Sequence, residues 1–343
     1  MKYHVPVQGY MSEGLSTLTK LQPVIIILAV AIGIVLGQFS FASADGSELL
    51  MEFFLMALLF FAFLGIDIRD IAKAFGNRKF TATALTLNFI WTPIFAVLLG
   101  YLFLSDSLDM RIGLLMMLVT PCTDWYIVFT GMAKGNTALS TSILPLNFIV
   151  QVIMLPLCLF LYLGTTTSFD IGPVLFGIAF VLIIPFVLAN VVKIFMRRVG
   201  KEKKLSDTVG AHGDNLQLLF LCLAIVVMFA SQGKMLVEEP ELLLKMLIPL
   251  GVFFFVMFLI SQIVAKRLKF SHPDSVSLTM TTLARNSPLD LAIAVIAFPA
   301  NPLIALVLVI GPLIELPVLA LVANVLLRID PRHKKGDIQN SAE

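Results

Sequence analysis

Apolar runs of helical length alternate with short polar stretches from one end of this chain to the other. The runs cover 18–38, 47–66, 80–104, 111–132, 137–163, 172–196, 214–232, 241–265, 274–298 and 301–328. A hydrocarbon layer of about 30 Å takes about 20 helical residues to cross, so the pattern predicts an all-α integral membrane protein with ten transmembrane helices. Residues 1–16 are polar and the first apolar run is full length, which reads as a span, not a cleaved signal. Basic residues supply the direction. Arg69, Lys73, Arg78 and Lys79 follow the second run, and a Lys/Arg cluster from Lys193 to Lys204 follows the sixth. Lys266, Arg267 and Lys269 follow the eighth, and Arg328, Arg332, Lys334 and Lys335 the tenth. The opposite loops hold only Arg111 and Lys234, beside Asp106, Asp109, Glu238, Glu239 and Glu241. The positive-inside rule then puts both termini in the cytoplasm of a cell (inner or plasma) membrane.

Ten spans divide into five and five. The expected units are a first repeat over 18–163 and a second over 172–328, with the basic stretch 197–213 as a cytoplasmic linker. Five is odd, so the second unit enters from the opposite face as an inverted repeat. A shift of about 165 residues sets Asp124 near Asp290, Asn136 near Asn301 and Gln151 near Glu315.

Two runs are interrupted at matching places. Thr120-Pro121-Cys122-Thr123-Asp124-Trp125 breaks the fourth, and Leu283-Ala284-Arg285-Asn286-Ser287-Pro288-Leu289-Asp290 breaks the ninth. Proline-interrupted segments at corresponding points of two halves are the sequence mark of a transporter's binding site. The backbone groups that a break sets free survive at membrane depth only against protein or a water-filled cavity. The half-helix N-termini that follow favour an anionic or electron-rich solute. Pro121 and Pro288 could instead be plain kinks, but the ionisable residues beside them favour true breaks.

Composition narrows the function classes. Hydrophobic residues make up 59% of the chain and charged ones 13%, and the net charge of +2 gives no footing for nucleic acid. Cys122, Cys158 and Cys222 all sit in apolar runs, with no C-x-x-C pair, so neither a disulfide framework nor a resident cofactor is expected. Cys158 and Cys222 read as small hydrophobes. Cys122 lies within a break, where its thiol is suited to a soft, thiophilic species and would be the metal-type ligand.

An intramembrane charge costs roughly 2.5–3.5 kcal/mol even on the gentle insertion scale, so Asp124, Arg285, Asp290 and Glu315 each need a reason. One reading has Arg285 paired with Asp124 or Asp290 as a static brace. The other has a carboxylate carrying a proton through the transport cycle. Glu315, between Pro312 and Pro317 with no cation close in sequence, fits the second. Asn88, Asn147 and Gln151 complete a polar set for substrate binding with Cys122, Thr123, Asn286 and Ser287. Each could equally make a plain interhelical hydrogen bond.

Several stretches carry a family resemblance: Leu87-Asn88-Phe89-Ile90-Trp91-Thr92-Pro93, Ala133-Lys134-Gly135-Asn136, Leu146-Asn147-Phe148-Ile149-Val150-Gln151, Asp290-Leu291-Ala292-Ile293-Ala294 and Gly311-Pro312-Leu313-Ile314-Glu315-Leu316-Pro317-Val318-Leu319. In these the chain resembles the bile acid/sodium symporter superfamily, and within it the arsenical-resistance family of arsenite efflux carriers. The resemblance implies two inverted five-helix repeats with broken, crossing helices 4 and 9. It implies that Cys122 is the family's essential cysteine, Glu315 its acidic residue in the last helix, and Asp290 a replacement for a glutamate. Pro121 stands where that family has arginine, while Arg285 and Pro288 stand where it has small or amide residues. The sodium-using glutamate of the symporter branch would fall near Thr281, so protons are the expected coupling ion over sodium.

The expectation is a secondary transporter exporting arsenite or antimonite by proton antiport. The alternative cargo is a small organic anion, with Arg285 as its carboxylate partner. An intramembrane aspartyl protease using Asp124 and Asp290 is disfavoured, because neither lies in a Gly-x-Gly-Asp context and Arg285 would suppress a shared proton.

Overall fold

The computed structural model describes residues 17–38, 44–65, 75–122, 125–164, 172–178, 180, 183–238 and 241–329. Residues 1–16, Arg69, Lys73, Arg332, Lys334 and Lys335, which entered the signal and orientation arguments, lie outside the described residues. So do Thr123 and Asp124. The described residues are 89% helix, with no strand among them.

The helices are α1 (Thr17–Gln38), α2 (Ala44–Gly65), α3 (Arg78–Phe103), α4 (Leu108–Val119), α5 (Trp125–Met132), α6 (Thr137–Leu163) and α7 (Gly172–Ile178). There follow α8 (Ile184–Arg198), α9 (Glu202–Glu238), α10 (Glu241–Arg267), α11 (His272–Leu283), α12 (Ser287–Ala297) and α13 (Pro302–Arg328). By length and composition α3, α6, α13 and the Leu244–Arg267 part of α10 can cross a membrane unaided. Every apolar range of the sequence carries helix, but 111–132 and 274–298 each hold two helices separated by extended backbone.

The stretch 197–213 differs from expectation. It is helical from Glu202 onward, and only a tight reversal separates α8 from α9. Gly200 takes a φ of +68°, with Gly200 N–H donating to Arg197 O (3.1 Å) and Lys201 N–H to Met196 O (2.8 Å). That is a glycine-terminated helix end, after which the good helix formers Glu202, Lys203, Lys204 and Leu205 restart a helix at once.

Two kinds of surface separate the helices. On α4 every residue from Ile112 to Val119 is buried, and on α11 every residue from Ser275 to Leu283. A helix covered all round belongs to the interior. By contrast Ile27 and Leu28 of α1 and Val191 and Phe195 of α8 are more than half exposed, as lipid-facing side chains would be. α1 and α2 lie along α9, and α8 lies along α2. Gly33 and Gly37 explain the closeness of α1 to α9. A Cβ on Gly33 would stand 2.6 Å from Phe229 Cβ, and one on Gly37 2.8 Å from Ala230 O. Small residues four apart let two backbones approach this closely, where dispersion and not hydrophobicity holds helices together. Of the remaining helices, α7 lies along α12, and α3, α5, α6, α10 and α12 gather about α4, α11 and α13.

Candidate functional site at the helix crossing

α4 ends at Val119 and α11 at Leu283, and proline chemistry shapes both breaks. Pro121 offers no N–H and pushes Thr120 to extended backbone (φ −103°, ψ 105°). Ala284 is likewise extended (φ −72°, ψ 138°), and Pro288 occupies the first turn of α12, where a missing N–H removes no helical bond. The two extended pieces meet. Pro121 and Arg285 stand opposite one another in an antiparallel bridge. Cys122 N–H donates to Ala284 O (2.9 Å) and Asn286 N–H to Thr120 O (2.8 Å). Each break thus satisfies backbone groups that the other leaves open, as burial at membrane depth requires.

Arg285 is the largest fully buried side chain at the crossing, 1% exposed. Its Nη1 donates to Leu118 O (2.9 Å), its Nε to Leu283 O (3.2 Å), and its Nη2 to Asn88 Oδ1 (3.2 Å) and to Thr282 O. The Phe253 ring lies 5.2 Å from the guanidinium carbon. Of the two readings of Arg285, the static brace with Asp290 is not seen as an ion pair. Arg285 makes no ion pair among the described residues, because helix-end carbonyls take its N–H groups instead. Asp124, the other expected partner, lies outside the described residues, as does Thr123.

Asn88 reaches the guanidinium through a local distortion of α3. Pro93 cannot continue the hydrogen-bond ladder, and Leu87–Trp91 winds as a π-helical turn in which Thr92 N–H and Oγ1 both bond Leu87 O. Asn88 Nδ2 donates to Thr281 O (3.3 Å), and Asn147 Nδ2 to Thr281 Oγ1 (3.3 Å). Thr281 therefore links α3, α6 and α11.

The buried acids join the same crossing. Glu315 Oε1 accepts the backbone N–H of Arg285 (2.9 Å), and Asp290 Oδ2 accepts from Thr120 Oγ1. Glu315 thus holds Arg285 by its backbone N–H and makes no hydrogen bond to the guanidinium. Among the described residues, buried atoms without a hydrogen-bond partner include Asn147 Oδ1, both amide atoms of Gln151, Ser287 Oγ, Asp290 Oδ1 and Glu315 Oε2. Gly311 gives room here, since a Cβ on it would stand 3.0 Å from Ser287 Oγ and 2.6 Å from Met117 Sδ. Cys122, buried at 5% exposure, sits directly across the bridge from Ala284. The structure brings Cys122, Asn88, Asn147, Arg285, Asn286, Asp290 and Glu315 into one bonded network. Thr120 and Thr281 belong to it but were not among the expected site residues. The hydroxyl run Thr279, Thr281 and Thr282 in an otherwise apolar span was the available signal. Among the described residues no group of three or more His, Cys, Asp and Glu side chains converges on a metal-sized site.

Two interrupted helices meeting in a buried, polar crossing define a membrane carrier. The chain belongs to the Sodium Bile acid symporter family, whose model matches residues 52–239. It is 26% identical to an arsenical-resistance protein Acr3 of Corynebacterium glutamicum, over 93% of this chain and 91% of that one. Similarity to an arsenical-resistance protein Acr3 of Alkaliphilus metalliredigens is 22% identity over 75% of both chains. The protein YbaS of Bacillus subtilis is 25% identical over 90% of this chain and 97% of its own. The protein is a membrane transporter of a small solute.

Proposed function

We propose that this transporter exports arsenite or antimonite from the cytoplasm in exchange for protons. The observation that carries the reading is Cys122. Its thiol is buried at the crossing of the two breaks, in a network where several polar atoms keep an unused hydrogen-bonding capacity. A soft sulfur beside hydroxyl and amide groups is the ligand set for a trivalent metalloid hydroxide. Cys122 would contact the metalloid, and Asn147, Gln151, Asn286 and Ser287 its hydroxyls. Glu315 or Asp290, each with one oxygen unbonded, would carry the proton. The names of the two arsenical-resistance relatives support the cargo.

The topology proposed with it is ten crossings in two inverted units, 18–163 and 172–328, with both termini cytoplasmic. Reciprocal contacts support it. Asn136, just before α6, donates from Nδ2 to Asp274 on α11 (2.8 Å), while Asn301, just before α13, donates to Asp109 on α4 (3.1 Å). Asn301 follows Asn136 by 165 residues, and Asp274 follows Asp109 by the same 165. Ser107 and Ser271 cap α4 and α11 in the same manner, each accepting from the N–H three residues on.

The organic-anion alternative loses its principal support, because helix carbonyls and Asn88 already engage the guanidinium of Arg285 that a carboxylate would need. The test is arsenite accumulation in everted vesicles with and without an imposed pH gradient, comparing wild type with Cys122→Ser. Gradient-driven accumulation that disappears in the variant is the expected result. Retained accumulation in Cys122→Ser removes the thiol from the mechanism, and no accumulation by wild type removes the metalloid.

A further inference from the structure

The bonds of Arg285 select an unusual kind of partner. The last carbonyls of an α-helix have no intrahelical donor, and the helix dipole gives that end about half a negative charge. Leu118 O belongs to the C-terminal turn of α4, and Thr282 O and Leu283 O to that of α11. Two negative helix ends therefore converge inside the protein, and the charge between them is the guanidinium. Asn88 Oδ1 adds a further neutral oxygen, and the face of Phe253 closes the shell. All are oxygens or π-electrons, and none is a carboxylate. In carriers with broken helices, unwound carbonyls and half-helix C-terminal ends of this kind are what hold a coupling cation.

We propose that Arg285 is a built-in cation. Its guanidinium occupies the place between the two helix ends that a free monovalent cation would otherwise take, so the crossing is complete without sodium. Removing the side chain leaves two uncompensated helix ends and the space to receive such an ion. The inference concerns how the crossing is held and does not depend on which solute is carried.

The experiment is thermal unfolding of the full-length protein in detergent, titrating sodium chloride against choline chloride at constant ionic strength. Wild type, Arg285→Lys and Arg285→Ala are compared. Wild type and Arg285→Lys, which both keep a tethered charge, should show the same Tm in either salt. Arg285→Ala should fall in choline chloride by on the order of 10 °C, and saturably recover part of that loss as sodium is added. A saturable sodium-dependent rise in wild type overturns the proposal. An Arg285→Ala protein that matches wild type in choline also overturns it. So does loss of folding in both variants in every salt, which would make the residue a matter of packing and not of charge. Because no cargo is present, none of these outcomes bears on metalloid transport.

Discussion

At Thr120–Cys122 the chain contributes a hydroxyl, a proline and a thiol, whereas at Ala284–Asp290 it contributes a guanidinium, an amide, a hydroxyl and a carboxylate. The two breaks solve the same backbone problem by trading hydrogen bonds across one bridge. They contribute differently beyond that bridge. From the first side, the carbonyls Leu118 O and Thr120 O take N–H groups from Arg285 and Asn286, and Thr120 Oγ1 donates to Asp290. The second break holds the charge, and its partners Glu315 and Phe253 come from α13 and α10. A backbone exchange can be reciprocal because every residue carries the same peptide group. Chemistry cannot be shared in that way: among the described residues of the two breaks, the guanidinium and the buried carboxylate both belong to the second.

The sharpest way to break this contrast is at Glu315. Glu315→Leu removes the acceptor of the Arg285 N–H and strands that donor in the interior, costing about 2–3 kcal/mol, with loss of solute accumulation. Glu315→Gln keeps an oxygen for the same N–H, so denaturation should remain near wild type while gradient-driven accumulation is lost. Equal destabilisation by both would deny the acid a role beyond structure.

Gln151 comes next. Both its amide atoms are buried without a partner in the protein, so Gln151→Leu should raise stability by about 1 kcal/mol while lowering transport. A variant that gains stability and transports normally would show that this side chain does not meet the solute. The reciprocal pairs follow. Asn301→Ala deletes one interhelical contact and should cost about 1 kcal/mol in chemical denaturation, whereas Asn136→Ala also removes the cap that Leu139 N–H uses and should cost about 1 kcal/mol more. A larger loss from Asn301→Ala than from Asn136→Ala would weaken the proposed correspondence of the two contacts.

The least effect is expected at Asp106 and Lys245, an exposed pair at 2.7 Å. The hydrogen bond from Lys245 holds the Asp106 carboxyl below its ordinary value of 3.8. A lowered value means that any stabilisation is fully present above 3.8 and lost only as pH falls below it. Lys245→Ala should therefore change the Tm by the same small amount at pH 5 and pH 7, and a difference between those two values would reveal a further partner.

The breaks were legible because proline and charge are rare together in apolar runs, and both marked positions are extended in the structure. Arg285's partners were not legible, since carbonyl oxygens carry no residue identity, and a search for its counter-charge looks naturally to Asp124 and Asp290. Thr120 and Thr281 escaped for a related reason: threonine in a membrane helix usually bonds its own preceding turn, as Thr282 does to Leu278 O. The helical restart at Glu202 was hidden by a basic run that reads equally as loop or as exposed helix.

The bridge between the breaks has a bearing on how such a machine can move. Pulling it apart would expose four peptide groups — Cys122 N–H, Ala284 O, Asn286 N–H and Thr120 O — at a depth where no water replaces them. At about 1–3 kcal/mol apiece, that is an expensive joint to open on every cycle. The four half-helices would then move or stay as one body, and any sliding would fall elsewhere, as on the side where α1, α2, α8 and α9 pack mainly against one another.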